Sequence, residues 1–273
     1  AGPQSRGESL TMLELQNGTV VFLPGTVNER VALNNVSFTL KDGDFVTVIG
    51  SNGAGKSTLL NAVSGAYPLT SGRVLLDGKD ITRLPEHKRA RYIGRLFQDP
   101  LKGTAPNMTI EENLGLAYGR GRRRGLSAGV KKADRELFRE LLKDLDLGLE
   151  DRMKTKVGLL SGGQRQALTL LMATIVTPSL LLLDEHTAAL DPKTSRQIMS
   201  LTDRIVKEHE ITTLMVTHNI QNALEYGNKT LVLSQGRLIL TLEGSERDHM
   251  TVEALMRLYS ANAADALSDR MIL

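Results

Sequence analysis

The stretch FVTVIGSNGAGKSTLLNAVSG, residues 45–65, decides the fold. From Phe45 to Ile49 every residue is aromatic or β-branched. An uninterrupted run of this kind is predicted as a strand buried on both faces. A glycine-rich turn starts at Gly50, and from Lys56 the apolar residues fall at helical spacing. Gly50, Gly55, Lys56 and Ser57 occupy the fixed places of G-x-x-x-x-G-K-[ST]. The spacing has a chemical reason. A polyphosphate needs several N–H donors converging on one point. Glycines let the backbone curl without Cβ atoms in the way, and the following helix turns its positive end on the anion. The cradle comprises Gly50, Ser51, Asn52, Gly53, Ala54, Gly55, Lys56, Ser57 and Thr58. In it Lys56 reaches the β- and γ-phosphates, and the Ser57 hydroxyl serves Mg²⁺.

Working outward, strands and helices alternate. Before the cradle, MLELQ, TVVFL and VALNNVSFTL show strand patterning, and SGRVLLDGKDI after it is predicted as a hairpin. PEHKRARYIGRLFQD is predicted as a short basic helix and then a strand. From residue 99 to 160 the character changes. TIEENLGLAY and DRELFRELLKDLDL have helical leucine spacing, with the linker GRGRRRGLSAGVKK between them. After residue 160 the alternation returns, which argues for parallel βαβ units.

Two later stretches bear on the cradle. SLLLLDEHTAALDP places Asp184 and Glu185 at the C-terminal end of a greasy strand, the edge where open parallel sheets bind ligands. There Asp184 is a candidate to hold Mg²⁺ and Glu185 to polarise an attacking water. The other stretch, LLSGGQRQAL from Leu159, is a second glycine-rich turn at a helix start. One phosphate site does not by itself explain two such turns.

Bulk properties narrow the field. The chain has 273 residues and no cysteine, so disulfides, thiolate metal sites and thiol nucleophiles are excluded. A net charge of +3 is too mild for a dedicated nucleic-acid binder. No apolar run has the roughly 20 residues that span a bilayer. The N-terminal AGPQSRGES has no apolar h-region, and residues 1–10 are expected to be a flexible tail or expression scar. The basic tract Arg120 to Arg124, with Lys131 and Lys132, is expected to be a solvated loop. Attraction to an anionic membrane leaflet is the alternative.

Taken together, LSGGQ between a phosphate loop and LLLLDE resembles the signature of ABC-type ATPases. The resemblance runs from about Met12 to about Leu242. It implies an α/β fold: a P-loop NTPase core with a mostly parallel sheet (residues 11–98 and 161–245), including an N-terminal antiparallel β subdomain. A helical subdomain (99–160) is inserted, and a helical extension (246–273) follows. The resemblance implies ATP and Mg²⁺ as cofactors. Phe22 resembles the aromatic that stacks on adenine, and Gln98 the glutamine that contacts Mg²⁺ and the water. Ala188 to Asp191 resembles the dimer-contact loop, and His218 the switch histidine. Ser161, Gly162, Gly163 and Gln164 would meet the γ-phosphate held by Lys56 of a second copy, which accounts for the second turn. His186 stands where most relatives have proline.

The partners implied are a homodimer, separate transmembrane permease subunits and an extracytoplasmic substrate-binding protein, with no nucleic acid. The expected place is peripheral, on the cytoplasmic face of the inner membrane. The stretch DEHTAALDP resembles uptake ATPases for aromatic or branched-chain amino acids, so import of a small solute is expected. Export or a nucleic-acid process is the alternative. The gap of roughly a hundred residues between cradle and signature lacks the coiled coils and zinc modules of repair ATPases.

Overall fold

The computed structural model describes residues 11–120 and 130–260. In chain order the elements are β1 (Thr11–Phe22), β2 (Arg30–Lys41), β3 (Phe45–Gly50), α1 (Lys56–Ser64), β4 (Ser71–Leu76), β5 (Lys79–Asp80) and α2 (Glu86–Arg89). Next come β6 (Ile93–Leu96), α3 (Ile110–Tyr118), α4 (Lys132–Lys143), α5 (Gly162–Thr174), β7 (Leu180–Asp184) and α6 (Pro192–Glu208). They are followed by β8 (Thr212–Val216), α7 (Ile220–Glu225), β9 (Lys229–Ser234), β10 (Arg237–Glu243) and α8 (Gly244–Asp248). A last helix, α9, covers residues 252–260. Two compact units result. One is built from the chain up to Arg89 and from Ile211 onward, the other from Ala90–Glu210.

In the first unit, β3 pairs in parallel with β8 on one side and β9 on the other. β10 runs antiparallel to β9. β3, β8 and β9 are buried almost throughout, as continuous apolar runs in parallel strands should be. A second, antiparallel sheet has the order β2-β1-β4-β5. Asp77 and Gly78, both at positive φ, join β4 to β5, the backbone that a two-residue Asp-Gly hairpin turn requires. Ile49, Ala223, Val232, Leu242 and Leu255 form a buried cluster under α7 and α9.

In the second unit β6 and β7 pair in parallel. Phe138, Leu142 and Leu149 are fully buried, and the Phe138 ring meets Tyr118 edge-on at 5.7 Å. Thr109 and Glu112 close a capping box on α3, which satisfies two otherwise unpaired amides. Glu111, buried, accepts from Arg135 at 3.2 Å and from Lys154.

Among the described residues, three arginines cap helix C-termini. Arg89 donates to the carbonyls of Ala62 and Val63 at the end of α1 and to those of Thr82 and Leu84. Arg247 donates to Ala223, Leu224 and Tyr226 around the end of α7. Arg120 donates to Ala173 and Val176 at the end of α5. A cation there answers both the orphan carbonyls and the negative end of the helix dipole. Burial pushes all three guanidiniums below the ordinary arginine value. Arg120 therefore corrects the expectation of a wholly solvated basic loop: it is a structural cap, half-buried. Residues 121–124 of that tract, the tail 1–10 and the end of the chain from 261 lie outside the described residues. Lys131 and Lys132 are exposed. Among the described residues no helix is long and apolar enough to cross a membrane.

Candidate active site

The first unit carries the cradle. The chain leaves β3 at Gly50 and enters α1 at Lys56. Gly50 has φ 155°, and a Cβ there would lie 2.3 Å from the Leu233 carbonyl oxygen. Gly55 has φ 103°, and a Cβ there would lie 2.6 Å from the Ala32 carbonyl oxygen. Both positions admit only glycine, for conformation and for space. Gly55 sits at the N-cap, so no side chain caps α1, and its first turn holds no acid. The amino end is thus available to an anion. Lys56 is buried, and its Nζ donates to the carbonyls of Gly50 at 2.9 Å and Ser51 at 3.1 Å. Ser51, Asn52, Gly53 and Ser57 are exposed along the curve, Thr58 is half-buried, and Ala54 is buried beneath it.

His218 follows β8 and is exposed. The Thr217 amide donates to Val48 at 3.2 Å, which ties this turn to the end of β3. His218, Gly50 and Ser51 line one cavity of about 190 Å³. The structure therefore brings the switch-like histidine to the first bend of the cradle. Phe22, at the end of β1, is half-buried, and Tyr67 holds its ring edge-on at 5.3 Å. Tyr67 was not legible as part of this aromatic pair, because it lies 45 residues downstream with no shared pattern.

The second unit carries the acids and the signature-like turn. Asp184 ends β7. On the neighbouring β6, Arg95 stacks over the Phe97 ring at 4.5 Å and faces the Asp184 carboxylate at 4.0 Å. Sequence reading missed Arg95, since only the β6–β7 register makes the two residues neighbours. Glu185 lies in the left-handed region, at φ 47°, a conformation that costs a non-glycine residue about 1–2 kcal/mol. Strain of this kind concentrates at functional turns. Its carbonyl accepts from Ala188 at 2.9 Å, and Asp191 caps α6 through the amides of Lys193 and Thr194. Those bonds, with the Thr194 side chain first, hold the Asp191 carboxyl below the usual carboxylate range. Gln98 follows β6 and is exposed. The neighbouring Asp99 carboxylate accepts from the Leu101 amide at 2.9 Å.

Ser161 N-caps α5. Its Oγ accepts from the Gln164 amide, and the Gln164 side chain accepts from the Ser161 amide, both at 3.2 Å. The two polar residues of the turn thus build a capping box. Gly162 and Gly163 pack against the Leu190 turn and the start of α6: Cβ atoms there would meet Leu190 at 3.3 Å and Thr194 at 2.4 Å. Arg165, also missed, clamps the preceding turn through Gly158 at 3.2 Å and Leu160 at 2.8 Å. His186, buried, faces the Thr202 hydroxyl, and burial pushes its pKa down to about 4.

A strand that stops in a glycine-only curl, a lysine folded into that curl and an uncapped helix end define a P-loop nucleotide-binding protein. Residues 33–188 match the family described as ABC transporter. The chain belongs to that family. It is 45% identical over 245 residues to a tyrosine transport ATP-binding protein of Clostridioides difficile, covering 90% of this chain and 97% of that one. It is 35% identical to the methionine import ATP-binding protein MetN of Corynebacterium efficiens, covering 84% of this chain and 62% of that longer one. Among solved structures it resembles a dimeric ATP-binding cassette in a post-hydrolysis state bound to ADP and Pi. The TM-score is 0.74 at 31% identity, over 85% of this chain and 98% of that one. The chain is an ATPase subunit of an ABC transporter.

Proposed function

We propose that this subunit drives uptake of an amino acid, of the aromatic class, through a separate permease. The observation that carries this is the 45% identity to the tyrosine transport ATP-binding protein across 97% of its length. Identity at that level extends through the whole relative, not only its phosphate loop. Two copies act together as a homodimer on the cytoplasmic face of the membrane, held there by the permease. An extracytoplasmic binding protein delivers the solute.

Each proposed role joins what the family resemblance implies to the local chemistry. The α1 amino end and the glycine curl bind the triphosphate, and Lys56, positioned by its loop carbonyls, donates to the phosphate oxygens. The aromatic surface of Phe22 takes the adenine, and Tyr67 fixes its ring. The Ser57 hydroxyl, the Asp184 carboxylate and the Gln98 amide oxygen would hold Mg²⁺. They are few, hard oxygen donors, which suits an ion that keeps several waters and takes phosphate oxygens. When bound, the ion neutralises charge on the transferring phosphoryl group. Glu185 polarises the attacking water as a general base, while Gln98 and His218 orient it. Ser161, Gly162, Gly163 and Gln164 cap the phosphate held by the second copy.

The test is purification from native membranes with identification of bound partners by mass spectrometry, then ATP-driven uptake by the reconstituted complex. Accumulation of tyrosine or a related amino acid is expected. A complex that hydrolyses ATP, yet moves no amino acid inward, would overturn the assignment.

A further inference from the structure

We propose that Tyr259, on the last described helix, is a positioning residue of the nucleotide site: it orients the Gly50–Ser51 peptide that anchors Lys56. Tyr259 lies outside residues 33–188 that match the family, and outside every motif of the cradle.

The juxtaposition is direct. The Ser51 amide donates to the Tyr259 hydroxyl at 3.1 Å, across 208 residues of sequence. The Gly50 carbonyl accepts from Lys56 Nζ at 2.9 Å. These two groups belong to one peptide unit. A peptide is planar and its C=O and N–H point in opposite directions. Tyr259 therefore grips one edge of a rigid plate whose other edge holds the lysine. Gly50 has no side chain and sits at φ 155°, so no Cβ at Gly50 pins that plate, and the bonds at its two edges orient it. If it turns, the carbonyl swings away from Lys56.

The helix that delivers Tyr259 is well seated. Leu255, one turn earlier, is fully buried against Ile49, Val232 and Leu242, with Tyr259 packed at the edge of the same cluster. Ile49 immediately precedes the cradle. The cavity lined by Tyr259, Leu255 and Met256 also takes in Gly50, Ser51 and His218. Helix α9 thus meets the phosphate loop through both a packed core and a hydrogen bond.

Tyr259→Phe keeps the ring and its packing and removes only the acceptor. We expect a rise in the ATP dissociation constant of about three- to tenfold, the range a neutral hydrogen bond supports. The melting temperature should hold, and kcat at saturating ATP should stay within roughly twofold, since the plate acts on binding and not on the water. The Ser51 amide, followed by hydrogen exchange, should be protected in the wild type and lose that protection in the variant. Wild-type ATP affinity in Tyr259→Phe would overturn the proposal. So would an effect confined to kcat. An unprotected Ser51 amide in the wild-type protein would do the same without recourse to any variant.

Discussion

The imidazole of His186 donates its Nε2–H to the hydroxyl oxygen of Thr202, 3.2 Å away. The direction is fixed because the Thr202 proton is already spent on the Ile198 carbonyl at 2.7 Å. His186 is thus a neutral, buried tether from the Glu185 turn to the middle of α6. Its folded pKa is pushed down to about 4 by desolvation, against about 6.5 in the unfolded chain. A depressed pKa means that the unfolded state takes the proton first. The contribution is full above pH 6.5 and is lost as pH falls from 6.5 towards 4, by about 3 kcal/mol in all. Urea unfolding at pH 7.5 and 4.5, in EDTA, should show this loss in the wild type. His186→Gln should lack that part of it.

Gly163 meets α6 too closely for any side chain, with the Thr194 methyl 2.4 Å from where a Cβ would stand. Gly163→Ala should cost about 1–3 kcal/mol by overpacking. Thr194→Ser, which removes that methyl, should restore most of the loss in the double variant. Thermal unfolding of the two single variants and the double variant measures the coupling. If hydrolysis stays impaired after stability returns, the glycine also serves the phosphate directly.

Arg89 satisfies four carbonyls from a buried position. Arg89→Met keeps bulk and loses every donor. Destabilisation of about 3 kcal/mol or more is expected, since unsatisfied buried acceptors cost about 1–3 kcal/mol each. Because the cap ends the helix that begins at Lys56, a weaker grip on ATP should accompany it. Chemical denaturation and nucleotide titration are the measurements.

Glu185→Gln tests the assignment of the base. Turnover should fall by at least about a hundredfold, the lower range for general-base catalysis, while ATP binding is kept. An ATP-stabilised dimer should then accumulate in light scattering. Turnover near the wild-type rate would remove Glu185 from that role.

What could be read in advance was local. The cradle, the acid-tipped strand and the signature turn each sit within about ten consecutive residues; spacing exposed the first two, and the family resemblance gave the third its meaning. The buried strand β3 showed as an unbroken apolar and β-branched run, and the β4–β5 hairpin through its turn glycines. What stayed hidden depends on distant chain segments meeting. Arg95 beside Asp184, Tyr67 on Phe22 and Tyr259 on Ser51 carry no pattern that links the partners. Arg89 and Arg120 look like surface charge in sequence, because a helix C-terminus recruits a cation by geometry. The double duty of Ser161 and Gln164 was half-legible: S-x-x-Q before an apolar run is itself a capping signal.

The pairing of β3 has a consequence for how the protein is made. Its two neighbours, β8 and β9, lie about 170 and 180 residues further along the chain. At roughly 5–20 residues per second, a ribosome needs on the order of ten to forty seconds to supply them. Throughout that interval Val46, Val48 and Ile49 lack the strands they pair with in the finished sheet. The ATP-binding loop therefore gains its supporting strands late in synthesis, and a nascent chain stalled before Lys229 holds the motif without the fold that makes it work.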